Sequence, residues 1–104
     1  MSDTFFTSVE QENGDAVIYL TGNINREAEQ AINSAYDEAE MLAPTTIVLN
    51  FSAVDYINST GIALIVGLLS KARMHERKLT AVGLSEHYVE IFNITRLSDF
   101  IAIQ

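Results

Sequence analysis

An alternation of helix-patterned stretches with short strand-like runs constrains this chain more than any other feature. Residues 26–42 repeat Ala28, Ala31, Ile32, Ala35, Tyr36, Ala39 and Leu42 at helical spacing, with Asn25 as a plausible N-cap and Pro44 as a stop. The opposite face of that helix, with Glu27, Glu29, Asn33, Asp37 and Glu40, should be solvated. Thr46–Asn50 is short, β-branched and apolar, and reads as a central strand covered on both faces. The order then recurs, with a second helix from about Gly61 to His75 and a strand over Lys78–Val82 closed by Gly83. Ser85 can cap a third helix, Glu86 to about Ile94, and Phe100–Ile103 reads as a last short strand.

Two strands precede this alternation. Phe5–Glu10 and Ala16–Thr21 flank Asn13-Gly14-Asp15, a strong turn signal that predicts a hairpin, and Gly22 breaks the pattern. The order β-β-α-β-α-β-α-β predicts an α/β fold, a mixed sheet with helices packed on it, in a single domain over 1–104.

Composition narrows the function classes. With 48% hydrophobic residues in 104, one real core can be buried. The net charge of −8 opposes binding to nucleic acid or to anionic membrane surfaces. It suits a basic protein partner, or simply solubility. The chain has no cysteine, so it has no disulfide, thiol nucleophile or thiolate metal site. The N-terminus shows no basic segment followed by a long apolar one, and the apolar run Ile62–Leu69 is too short to span a bilayer. A cytoplasmic protein without membrane insertion is expected. His75 and His87 are the only histidines; His87 and Glu90 share a helical turn but lack a third ligand, so no metal or cofactor is expected. There is no Gly-x-Ser-x-Gly elbow and no glycine-rich phosphate loop, which argues against an enzyme.

Asp55 to Ile65 carries the chemistry. It joins a strand to the start of a very apolar helix, and it places Ser59 and Thr60 where free N–H groups and the positive end of the helix dipole lie. Position alone leaves two readings of Ser59: a helix N-cap, or a hydroxyl poised to carry phosphate. On a helical wheel Ile62, Ile65, Val66, Leu69 and Ala72 form the core side, Leu64 falls well off it and Leu68 sits at its edge. Gly61, Ala63 and Gly67 keep the outer face thin. Leu64 either projects toward a partner or is covered by a neighbouring helix.

Asn58-Ser59-Thr60-Gly61, within Asp55 to Leu68, resembles the signature of the STAS family, the sulphate transporter and anti-sigma factor antagonist domains. Leu20-Thr21-Gly22-Asn23-Ile24-Asn25 is similar to the family's second-strand end. Ile47–Phe51 and Leu79–Gly83 are similar to its third and fourth strands, and Val89, Ile91, Phe92 and Thr95-Arg96-Leu97 to its third helix and following turn. The resemblance implies a non-enzymatic anti-sigma factor antagonist. Unphosphorylated, such a protein binds a serine-protein kinase that is also the anti-sigma factor. Phosphorylation at Ser59, with Thr60 a minor acceptor, releases it, and a PP2C-type phosphatase resets the switch. The implied partner surface comprises Asn25, Asn58, Ser59, Thr60, Gly61, Leu64 and Leu68. The alternative is an accessory STAS subunit of an ABC-type lipid transporter. Four positions depart from the family pattern. Asn58 and Asn25 stand where Asp is usual, Arg96 replaces a common Gly, and the chain stops at Gln104, without the closing helix many antagonists have.

Overall fold

A computed structural model describes residues 5–104. Its elements are β1 (Phe5–Glu12), β2 (Asp15–Ile24), a 3-10 turn (Arg26–Ala28) leading into α1 (Glu29–Glu40), β3 (Thr46–Ile57), α2 (Ser59–Met74), β4 (Lys78–Val82), α3 (Glu86–Ile94), a second 3-10 turn (Leu97–Asp99) and β5 (Ala102–Ile103). The sheet order is β1-β2-β3-β4-β5, antiparallel at β1–β2 and parallel elsewhere. This is the mixed α/β architecture that the alternation predicts.

Because strand order follows chain order, every crossover moves the same way across the sheet. Right-handed crossovers in one direction bring their helices to one face. That face carries Ala16, Ile18 and Leu20 of β2, Ile47, Leu49 and Phe51 of β3, and Leu79 and Ala81 of β4, all buried. Ile32 and Tyr36 of α1, Ile65 and Leu68 of α2, and Phe92 of α3 complete the core. Phe92 meets Phe51 edge-on at 6.0 Å between ring centroids. β3 is therefore covered fully on one face only: Thr46, Val48 and Asn50, pointing the other way, are half-buried. The expected burial on both faces does not hold, since a one-directional crossover leaves no helix for the second face.

Two strands run longer than their apolar cores. β2 passes through Gly22 (φ 103) to Ile24, and β3 continues beyond Asn50 to Ile57, with irregularities in their shared register at Tyr19/Thr21 and Gly22/Asn23. Bulges break the period-two alternation, so a strand that contains them does not read as one. Arg96, the residue in place of a common glycine, adopts a left-handed φ of 67 and pairs with Asp99 at 2.8 Å.

The wheel placed α2 incorrectly. Ile65, Leu68, Leu69 and Ala72 face the core, whereas Val66 is 44% exposed and Ile62 half-buried. Almost every residue from Ile62 to Leu69 is apolar, so the pattern offers little polar contrast to orient the helix. Leu68, at 1% exposure, is a core residue and cannot serve a partner surface.

Glu40 also departs from its expected solvated face. It accepts the Tyr36 hydroxyl at 2.6 Å and an Arg77 Nε–H at 3.1 Å, while Arg77 also donates to the Pro44 carbonyl at 2.6 Å. This cluster ties the end of α1 to the segment entering β4. Burial pushes the Glu40 carboxyl up, but the bonds from Arg77 and Tyr36 and the Arg77 charge outweigh it and hold the group below its ordinary value. A carboxyl with a depressed folded pKa stabilises the fold above its unfolded pKa, and that stability is lost as pH falls through the folded value. The stability gap between the native chain and Glu40→Gln, measured by urea unfolding, is therefore expected to narrow between pH 7 and about pH 3. A gap that stays constant with pH contradicts this.

Candidate functional site

Strands β2 and β3 end side by side, with Ile24 paired to Ile57. One residue further, each chain direction reverses into a helix, and each reversal is held by an asparagine. Asn25 Oδ1 accepts the Glu27 N–H at 3.0 Å, and Asn58 Oδ1 accepts the Gly61 N–H at 2.8 Å. After β4, Ser85 Oγ accepts the Tyr88 N–H at 3.3 Å and starts α3. Three helical starts therefore open beyond the carboxyl ends of parallel strands, the edge at which α/β sheets build their sites.

The N-cap of α2 is Asn58, not Ser59. A carboxamide oxygen accepts the same bond as the family's carboxylate, so Asn58 keeps the cap and changes only the charge. Ser59 and Thr60 become the first two helical residues, and both are exposed. Their N–H groups have no carbonyl a turn earlier to bind. Among the described residues the Ser59 hydroxyl forms no hydrogen bond.

Gly61 faces inward rather than thinning the outer surface. A Cβ there would fall onto the Ile24 carbonyl oxygen, which itself accepts the Asn58 N–H at 3.2 Å. Glycine lets the helix start press against the end of β2, and being buried it offers a partner little. Ala63 and Gly67 are exposed as expected, while Leu64 is half-buried against the core. Of the residues expected to form one surface, the structure groups Asn25, Asn58, Ser59 and Thr60 at the rim, places Leu64 at its margin, and withdraws Gly61 and Leu68.

Sequence patterns did not reveal Tyr88. β4 stops pairing at Val82, opposite Asn50, so Ile57 has no strand on that side. The buried Tyr88 hydroxyl takes its place, accepting the Ile57 N–H at 2.8 Å and lying 3.4 Å from the Ile57 carbonyl oxygen as donor. A side chain of α3 thereby secures the peptide two residues before Ser59. Gly83 (φ 77) closes the other end of this gap against Ser52, whose N–H bonds to Asn50 Oδ1 at 2.9 Å. Among the described residues, no cluster of three or more His, Cys, Asp or Glu is placed to hold a metal, and no helix is long and apolar enough to cross a membrane.

The cap assignment has a measurable consequence. Asn58→Ala is expected to cost about 1 kcal/mol, the usual value of a lost cap. Ser59→Ala should stay within about 0.5 kcal/mol of the native chain, as an exposed substitution does. Chemical denaturation of both variants checks this, and the reverse ranking would return the cap to Ser59.

The STAS domain family model matches residues 7–104. An anti-sigma-B factor antagonist of Listeria monocytogenes is 28% identical over 87 residues, covering 84% of this chain and 76% of that protein. An anti-sigma factor antagonist from Mycobacterium paratuberculosis has a similar structure, with TM-score 0.82 at 21% identity over 99% of this chain and 89% of that one. The phosphorylated form of the Bacillus cell fate determinant SpoIIAA aligns with TM-score 0.70 at 20% identity, over 94% and 90% of the two chains. With a family match that runs from β1 to the last residue, and the same sheet and helices in its structural relatives, this chain belongs to the STAS domain family.

Proposed function

We propose that the chain is an anti-sigma factor antagonist that works by partner switching. Unmodified, it binds a regulatory serine kinase that doubles as the anti-sigma factor. Transfer of the ATP γ-phosphoryl group to Ser59 Oγ, with loss of the hydroxyl proton, releases it, and a PP2C-type phosphatase hydrolyses the ester to reset the cycle. Thr60 is at most a minor acceptor. The chain works in the cytoplasm, alongside the sigma factor it frees. One observation carries this reading: Ser59 stands exposed at the start of α2 while Asn58 does the capping, so the hydroxyl has no structural duty. The Listeria relative, named an anti-sigma-B factor antagonist, supports the same assignment.

The physics of the modified state fits a switch. Phosphate adds roughly −1.5 to −2 charge at neutral pH. At the first turn of the 16-residue α2, that charge meets free N–H groups and the positive end of the helix dipole. The neutral Asn58 amide adds no repulsion, as the family's carboxylate would. The free phosphoprotein therefore stays folded, and the penalty arises when a partner must bury the anion.

A titration of the cognate kinase against unmodified, Ser59→Ala and stoichiometrically phosphorylated protein tests this, with a thermal melt of each. The first two should bind alike and the third at least tenfold more weakly, about 1.4 kcal/mol, with all three folded. Equal affinity for the phosphorylated and unmodified forms refutes the switch. Recovery of a transporter ATPase instead of a kinase by pull-down would favour the accessory-subunit role.

A further inference from the structure

Between Asn50 and Ile57, β3 has lost its neighbour on the β4 side, and the gap is not filled. A cavity of about 170 Å³ lies between this bare edge and the loop leading from β4 into α3. Its lining is mixed and more polar than apolar: Val54, Ile57, Leu84 and Tyr88 give it apolar patches, and Ser52 and Ser85 also line it. Asp55 is the one charged residue in the lining. Its side chain is exposed, and it makes no ion pair among the described residues. The chain as a whole carries 14 carboxylates against 6 basic side chains.

A short slot of mixed polarity, with apolar patches beside a lone carboxylate, is complementary to a side chain that has an aliphatic stem and a cationic head. The stem packs against Val54, Ile57 and Leu84 while the head pairs with Asp55. A guanidinium suits the place better than an ammonium, because it can bond a carboxylate at two points and still reach a hydroxyl such as that of Ser85. We infer that this cavity is the seat of an arginine presented by a protein partner. The inference rests on the partner-binding role proposed above and specifies how a partner is anchored beside Ser59. The seat is close to the acceptor in the chain and joined to it physically: Tyr88 forms a wall of the cavity and also holds the Ile57 peptide, two residues before Ser59. An arginine docked there bears on the same clamp that positions the acceptor loop.

The first experiment needs no kinase. Uniformly 15N-labelled protein is titrated with N-acetyl-arginine amide and, separately, with its citrulline counterpart, which has nearly the same shape and no charge. Amide shifts that centre on Val54, Asp55, Leu84 and Ser85, that appear with arginine alone and that vanish in Asp55→Asn are the expected result. Equal shifts with citrulline, scattered shifts, or persistence in Asp55→Asn overturn the inference, whatever Ser59 does. The second experiment measures phosphorylation of Asp55→Asn by the cognate kinase. A rise in KM of about tenfold, with kcat unchanged and the difference shrinking at high salt, is expected for a lost charged anchor. An unchanged KM overturns the anchor. Failure of Ser59 to accept phosphate at all refutes the switch and leaves the arginine titration to be judged on its own.

Discussion

The carbonyl of Ile24 is the point on which the site depends. It accepts the Asn58 N–H, and its oxygen occupies the space that a side chain at position 61 would need. Both facts pull the start of α2 against the last residue of β2. Asn58 can then turn its amide oxygen inward to the Gly61 N–H, which leaves the next two residues, Ser59 and Thr60, facing solvent. The hydroxyl pair is displayed because the residues on either side of it are tied down. On the far side of β3, Tyr88 performs the matching task for Ile57. A loop held from both flanks keeps a defined shape without using the Ser59 hydroxyl, which suits a residue whose covalent state is to change.

Charge is distributed consistently with this division. The half-buried ionic cluster of Tyr36, Glu40 and Arg77 lies at the opposite ends of the helices, where α1 and α2 run out, and it serves packing. The rim near Ser59 is built from neutral caps, two of them asparagines. Substituting the family's carboxylates by Asn25 and Asn58 preserves each cap bond and removes two negative charges from the place where an anion would be added.

Much of this was legible in the sequence, for identifiable reasons. β4 and the start of α3 were read directly because Gly83 and the capping Ser85 punctuate them. α1 was clear because its apolar spacing contrasts with acidic residues. The second half of β3 was not legible: residues 51–57 are strand only because bulges and a parallel neighbour make them so, and no alternation marks them. The orientation of α2 failed for the opposite reason, too many apolar residues rather than too few polar cues, so Leu68 and Val66 exchanged places. The sequence left Ser59 open between cap and acceptor and did not single out Asn58 as the cap, because asparagine and serine are equally good caps and only the bond to Gly61 distinguishes them. The Tyr88 contact joins residues 31 apart, and no local pattern announces it.

The sheet order has a further consequence for how the chain reaches its fold. Many α/β sheets reverse direction partway, so that a late strand must join an edge made by the earliest ones. Here each strand from β2 to β5 adds beside the one immediately before it in the chain. No strand has to insert between two that are already paired, and every closure spans a single connection. Loop-closure entropy is therefore met in small consecutive steps, and the hairpin β1–β2 can template everything after it. The same growth leaves its newest edge at β5, only two residues long, which is a poor template for another chain.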